Sequence, residues 1–157
     1  MNFEEPKFKA ALMFARRDDE ILLILKKRGI GAGLWNGPGG YREEGESPLE
    51  TAHREFREEV AAEAGDAKEV GVLDFFMPKD DFSMRVWIFV ADGIRSGTPT
   101  ETEEARSKWF NVNSLPWGEM WMDDRIWLPH VLAGRVVKGI FAMDGRDIVR
   151  CEMEWAE

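Results

Sequence analysis

Glu55, Glu58 and Glu59 stand at i, i+3 and i+4 in a stretch that reads as a helix. That spacing crowds three carboxylates onto one patch, where each like-charged pair costs about 0.2–0.5 kcal/mol. A bound cation removes the cost. Oxygen-only ligands suit a hard divalent ion, Mg²⁺ or Mn²⁺, and Mg²⁺ usually takes substrate phosphate oxygens as further ligands. The plainer alternative is a solvated acidic face, with Arg54 and Arg57 interleaved and Arg54 paired to Glu58 one turn on.

The helix that must position these groups has a marked start. Ser47 occupies the N-cap position, Pro48 the first helical position, and Glu50 follows Ser47 by three residues, which makes a capping box. Leu49, Ala52, Phe56 and Val60 recur at spacings of three and four and predict one apolar stripe packed on a core. The run Ala61-Ala62-Glu63-Ala64 consists mostly of good helix formers, so the helix is expected to continue another turn and stop at Gly65.

The segment before it, residues 26–41, holds six glycines and one proline, too many for a regular element. Such a backbone can approach a ligand closely. Lys26, Lys27 and Arg28 offer cations for phosphates. Asn36 carries both an acceptor and donors, enough to pair with a nucleobase edge.

A second unusual stretch is PWGEMWMDDRIWLPHVLA, residues 116–133. Asp123 or Asp124 is placed to cap a helix running from Arg125 to Ala133. Trp121 and Trp127 flank the pair. Carboxyls among indoles lose solvation and repel each other, so at least one pKa rises. A protonated aspartate donates, and the pair then reads both donor and acceptor atoms of a purine. His130 reads as structural or exposed. The polar segment 95–104 is a surface loop in which Glu101, Glu103 and Glu104 are candidates for one further metal-side carboxylate. Phe75, Met77 and Met84 are read first as core.

Strands are expected at 8–15 and 21–25, forming a hairpin, then at 70–76 and 83–91. A short strand begins at Trp109-Phe110. The C-terminal stretch 138–155 reads as a hairpin about a type I′ turn at Asp144-Gly145. No linker or repeat divides the 157 residues, which are read as one domain, 1–157. A net charge of −9 disfavours a nucleic-acid polymer as partner, but not a small phosphorylated substrate held through a metal. The lone Cys151 allows no internal disulfide. The start MNFEEPKFKA lacks the features of a signal peptide, and no run is long enough to span a membrane. The expectation is a cytoplasmic monomer.

The spacing carries a further signal. Gly40, five residues, Glu46, seven residues, Arg54-Glu55-Phe56, one residue, Glu58-Glu59: this pattern resembles the signature of the Nudix hydrolases, which cut a nucleoside diphosphate linked to another group. One position departs, Ala61 standing where the family usually has glycine. The resemblance implies an α/β fold, an α/β/α sandwich with a mixed central sheet flanked by helices. The segments KKRGIGAGLWNGPGG, GTPTETEEARSKWF and MWMDDRIWLPHVL resemble in particular the MutT-type members that hydrolyse oxidised purine nucleoside triphosphates, the mammalian 8-oxo-dGTPases among them.

That likeness implies metal ligation by Glu55, Glu58, Glu59, Glu104 and the Gly40 carbonyl. It implies Arg54 orienting the glutamates and Lys26 meeting phosphate. It assigns base recognition to Asn36, Asp123 and Asp124, between walls of Trp121, Trp127, Phe75 and Met84. Glu59 is the first choice as general base and Glu104 the second. Four pocket positions are expected to depart from the mammalian pattern: Ala11, Ile30, Leu34 and Met77. The expected activity is Mg²⁺-dependent conversion of 8-oxo-dGTP or 2-hydroxy-dATP to monophosphate and pyrophosphate, sanitising the nucleotide pool. The alternatives are an undamaged or alkylated nucleotide as substrate, or a non-catalytic nucleotide-binding module.

Overall fold

The structure is a computed structural model and describes residues 4–157. β1 (Phe8–Arg17) and β2 (Glu20–Lys26) form the expected hairpin, with Arg17 opposite Glu20. The glycine-rich segment is not wholly irregular. It contains two short strands, β3 (Trp35–Asn36) on β2 and β4 (Gly39–Tyr41) on β1. Both depend on partners distant in sequence, which local composition does not reveal. α1 (Pro48–Val60) follows, then β5 (Glu63–Ala64), β6 (Ala67–Met77), β7 (Phe82–Asp92), β8 (Ile94–Ser96) and β9 (Ala105–Asn111). α2 (Asp124–Leu132) leads into the hairpin of β10 (Val136–Asp144) and β11 (Asp147–Ala156).

The main sheet runs β11-β10-β6-β7-β1-β2, with β3 and β9 on β2 and β4 on β1. It is mixed: β1/β7 and β6/β10 are parallel and the other pairs antiparallel. Side chains alternate across it with period two. Ala11, Met13, Leu22 and Ile24 meet Ala52, Phe56 and Val60 of α1 on one face. Phe14, Ile21, Leu23 and Leu73 meet Trp127, Leu128 and Val131 of α2 on the other. This is the α/β/α sandwich with a mixed central sheet expected from the sequence.

The capping box at Ser47 and Glu50 is present in both directions, at 3.1 and 2.9 Å. Two other helix expectations change. Leu49 in the first turn is exposed, so the buried stripe starts at Ala52. The helix also ends earlier than Gly65. Ala61 turns left-handed, φ 60° and ψ 34°, and its N–H closes on the Arg57 carbonyl. Ala62 and Ala64 are then buried, and β5 pairs with β8, so the chain has to leave the helical path at once. β9 starts at Ala105, earlier than Trp109, because its pairing with β2 extends to Lys26. The last hairpin closes with Asp144 opposite Asp147. Its central residues are therefore Gly145 and Arg146, of which only Gly145 has positive φ. That is the pattern of a type II′ turn and not of type I′.

A non-glycine residue held left-handed costs about 1–2 kcal/mol. Ala61→Gly is expected to raise stability by about 1 kcal/mol after glycine's larger unfolded-state entropy is allowed for. A urea midpoint that stays put or falls would contradict the strain at Ala61.

Candidate active site

Arg54 is the organising side chain on α1. Its Nε and Nη2 grip the two Glu46 oxygens at 2.7 and 3.0 Å, and Nη1 donates to Glu55 at 2.9 Å. Nη2 also reaches the Tyr41 carbonyl at 3.0 Å. Glu46 is thus spent on Arg54, on Thr51 Oγ1 at 3.0 Å and on the Glu43 N–H at 2.9 Å. The guanidinium beside it holds the Glu46 carboxyl down at about 2.

Carboxylate oxygens of Glu55, Glu59 and Glu104 all lie within 4.8 Å of one another. The cluster joins the α1 helix to the loop before β9 and selects Glu104 from the three loop candidates. Glu101 is instead paired with Lys27 at 2.6 Å, so Lys27 is a loop clamp in this structure and not a free phosphate ligand. Glu103 and Arg28 are exposed. Glu58 lies outside the close trio. Its side chain is half-exposed and faces Arg54 at 3.3 Å, the i,i+4 pair that a plain acidic helix would also make.

Burial pushes Glu59 up to about 8, against the 2.7 Å hydrogen bond it accepts from the Gly39 N–H. Glu55 is raised by burial as well, with Arg54 opposing. Gly40 packs against the cluster so closely that a Cβ there would sit 2.5 Å from the Glu55 carboxyl carbon. An oxygen-only donor set, gathered against its own repulsion and partly desolvated, fits a hard divalent cation.

A cavity of about 560 Å³ extends from Gly40 and Lys26 along the α2 face of the sheet. Asn36, Trp121, Asp123, Asp124, Trp127, Phe75 and Met84 all line it, so the sequence-predicted pocket residues converge. Asn36 Oδ1 accepts from Gly37 N–H at 2.8 Å, which leaves the amide N–H₂ as its available end. Trp35, by contrast, is buried edge-on against Phe110 in the core. Ile30 and Met77 line the cavity, whereas Ala11 and Leu34 do not. Ala10 and Leu12 take that place, because Ala11 points to the α1 face. Asp80 and Arg146, from two loops far apart in sequence, complete the lining and were not singled out by sequence. Their loops meet through a Lys79–Asp144 ion pair at 2.7 Å, a contact with no local sequence signal.

The aspartate pair is nearly sealed from water. Asp123 stands at the N-cap position of α2 but makes no capping bond; its Oδ2 accepts from the Trp127 indole N–H at 2.8 Å. Asp124 Oδ2 is buried without a hydrogen-bond partner among the described residues. Burial and the adjacent Asp123 charge raise Asp124 well above an ordinary carboxyl, and burial raises Asp123 against the pull of the indole. His130 stacks on Trp155 and plays no part here.

The arrangement is an acidic metal-type cluster packed against Gly40, and Gly40 in turn lines an apolar pocket with polar hydrogen-bonding groups. The chain matches the NUDIX domain over residues 6–131 and belongs to the Nudix hydrolase family. Over 138 residues it is 38% identical to the oxidized purine nucleoside triphosphate hydrolase of Mus musculus and 36% identical to that of Danio rerio, with 88% of this chain and 88% of each relative covered. In three dimensions it resembles a MutT protein from Bacillus halodurans, with a TM-score of 0.83 at 22% identity over 94% of this chain and 97% of that one. A MutT NUDIX hydrolase from Burkholderia pseudomallei gives a TM-score of 0.72 at 28% identity, covering 82% and 99%. Among the described residues no helix is long and apolar enough to cross a membrane.

The raised Asp124 carboxyl has a consequence for stability. Its folded-state pKa lies above the unfolded value of about 3.9, so its contribution is fully present below about pH 4 and is lost as pH rises through the folded pKa. Asp124→Asn, which cannot ionise, should gain stability relative to the parent as pH is raised from 4 to 9, in paired urea titrations. A difference that does not vary with pH would show that Asp124 keeps an ordinary pKa.

Proposed function

We propose that this Nudix hydrolase is a Mg²⁺- or Mn²⁺-dependent pyrophosphohydrolase that converts oxidised purine nucleoside triphosphates, such as 8-oxo-dGTP and 2-hydroxy-dATP, to the monophosphate and pyrophosphate. Removing such nucleotides keeps damaged precursors out of DNA. The observation that carries the substrate class is the meeting of Asn36, Asp123 and Asp124 in one cavity whose lining residue Gly40 packs against Glu55 of the acidic cluster. The names of the mouse and zebrafish relatives support the same reading.

Glu55, Glu59 and Glu104, with the Gly40 carbonyl, would hold the cation, and Glu58 at the exposed edge is placed to join through a water or a second ion. A divalent ion at that position supplies charge neutralisation on phosphate oxygens and a more acidic bound water. Arg54 fixes the rotamer of Glu55 and neutralises part of the cluster's charge. Lys26 lines the phosphate end of the cavity as a cation. Glu59, whose ionised form a neighbouring cation would favour against its burial, would accept the proton of the attacking water as that water adds to phosphorus, and pyrophosphate would leave with the electron pair of the broken bridge bond. Glu104 is the second choice for that proton.

At the other end, the aspartate pair is suited to carry one proton between two carboxyls. A protonated Asp124 offers a donor and an ionised Asp123 an acceptor. An 8-oxo-guanine or a 2-hydroxy-adenine presents a different donor and acceptor pattern from the undamaged base, and a site built to pair such groups rejects bases that leave them unpaired. Trp121 and Trp127 offer flat surfaces for the ring.

The test is a turnover panel with Mg²⁺ at low substrate concentration: 8-oxo-dGTP, 2-hydroxy-dATP, dGTP and dATP, with products separated by chromatography. Preference for an oxidised purine with monophosphate and pyrophosphate as products is expected. Equal turnover of all four would remove the base-recognition part. No turnover would point to another Nudix substrate or to a binding module. Glu59→Gln should lower kcat by about 10²–10⁴-fold if Glu59 is the base, and full activity in that variant would overturn the assignment. Asp123→Asn should shift the preference ratio while far-UV circular dichroism stays unchanged; an unaltered ratio would refute its role.

A further inference from the structure

Thr102 lies in the loop that carries Glu104. Its hydroxyl is half-buried and fully used. Oγ1 lies 3.2 Å from the Glu59 carbonyl and accepts from the N–H groups of Glu104 and Ala105, each at 3.2 Å. A hydroxyl has one donor and two acceptor positions; the two N–H groups fill the acceptor positions, and the O–H has the Glu59 carbonyl as its nearer partner and the Ala105 carbonyl at 3.4 Å as the farther one. The Glu59 carbonyl is one of the last four of α1, which find no partner within a helix. The neighbouring Val60 carbonyl is met by the Thr100 N–H at 2.9 Å. The loop therefore hangs from the C-terminal end of α1.

The opposite side of Glu104 is tied as well. Its carbonyl accepts from the Lys27 N–H at 3.0 Å, which continues the ladder in which Ala105 pairs with Lys26. The N–H of Glu104 is fixed by Thr102 and its C=O by β2. One oxygen atom links the backbones of two members of the acidic trio, Glu59 and Glu104.

We infer that Thr102 is a positioning residue for the cation site: its hydroxyl sets the spacing of Glu104 from Glu59, and so the geometry of the donor set. The inference rests on the reading of Glu104 as a ligand. Thr102 touches neither cation nor substrate; it acts through Glu104. Valine, of the same shape, would leave Glu104 N–H, Ala105 N–H and the Glu59 carbonyl without this partner. Serine would keep all three bonds.

The experiment is a Mn²⁺ titration of the metal-free protein, followed by water-proton relaxation, with no substrate present. Partners that orient a ligand typically cost 10–100-fold in metal affinity when removed. Thr102→Val is expected to weaken Mn²⁺ binding by about tenfold or more, and Thr102→Ser to bind as the parent does. Thr102→Val combined with Glu104→Gln should be no weaker than Glu104→Gln alone, because one acts through the other. Thr102→Ala removes the hydroxyl without the extra methyl and serves the same comparison if the valine variant does not fold. Parent-like Mn²⁺ binding in Thr102→Val while Glu104→Gln is weakened would overturn the positioning role and leave the cation site standing. Independent, multiplying losses would overturn it too. Parent-like binding in Glu104→Gln would remove Glu104 from the site and the inference with it.

Discussion

One guanidinium holds the acidic centre together. Arg54 lies within ion-pair distance of Glu43, Glu46, Glu55 and Glu58, a single positive charge among four carboxylates. Lysine could not replace it. The planar fork meets Glu46 through two nitrogens and still has donors for Glu55 and the Tyr41 carbonyl. The bond to Glu46 staples the loop before α1 to the middle of the helix, and the bond to Tyr41 fixes the end of β4. Gly40 is the residue before Tyr41 in β4, and it packs directly against the Glu55 carboxyl. Without that staple the carboxylates would have no reason to gather, since each pair repels.

The sheet supplies the second condition. β4 pairs with β1 at the sheet's rim, and the Gly39 N–H reaches through to Glu59. The cavity lies on the α2 face and the glutamates on the α1 face, and β4 touches both, Gly39 and Gly40 lining the cavity and meeting Glu59 and Glu55. A long ligand with an apolar flat end and an anionic end would cross from one layer to the next at this point. Polar groups at both ends and Phe75, Met84 and Trp127 between them would fix its orientation.

What could be read in the sequence was local. The capping box, the carboxylate spacing and the Asp-Asp pair between tryptophans depend on residues within a turn or two. The Asp123 and Asp124 reading went beyond capping because burial among indoles can be inferred from neighbours. What was not legible needed partners far along the chain. The stop at Ala61 is imposed by the burial of Ala62 and Ala64, against the helix propensity of the run. The choice of Glu104 over Glu101 depends on Lys27, and that of Ala10 over Ala11 on which face of β1 meets α1. Tryptophan shows the same limit. Trp121 and Trp127 line the cavity, while Trp35 is core and Trp155 stacks on His130 at the surface, and all look alike in sequence.

The charge balance bears on how the acidic cluster and the pocket would work together. The chain carries a formal charge of −9. Among the lysines and arginines, only Lys26 and Arg146 line the cavity, and Lys27 next door is already paired with Glu101. On the proposed reading, a triphosphate entering this field would meet the carboxylates of Glu55, Glu58, Glu59 and Glu104 with one lysine beside it. Two sets of anions cannot share that space in a partly dry site, because their repulsion grows as the local dielectric falls. A cation between them turns both repulsions into attractions and inverts the local sign that a polyanion sees. The protein's own contribution would therefore be to keep its acids close together and correctly spaced before any ligand arrives, through Arg54 midway along α1 and the Thr102 loop at the helix's C-terminal end.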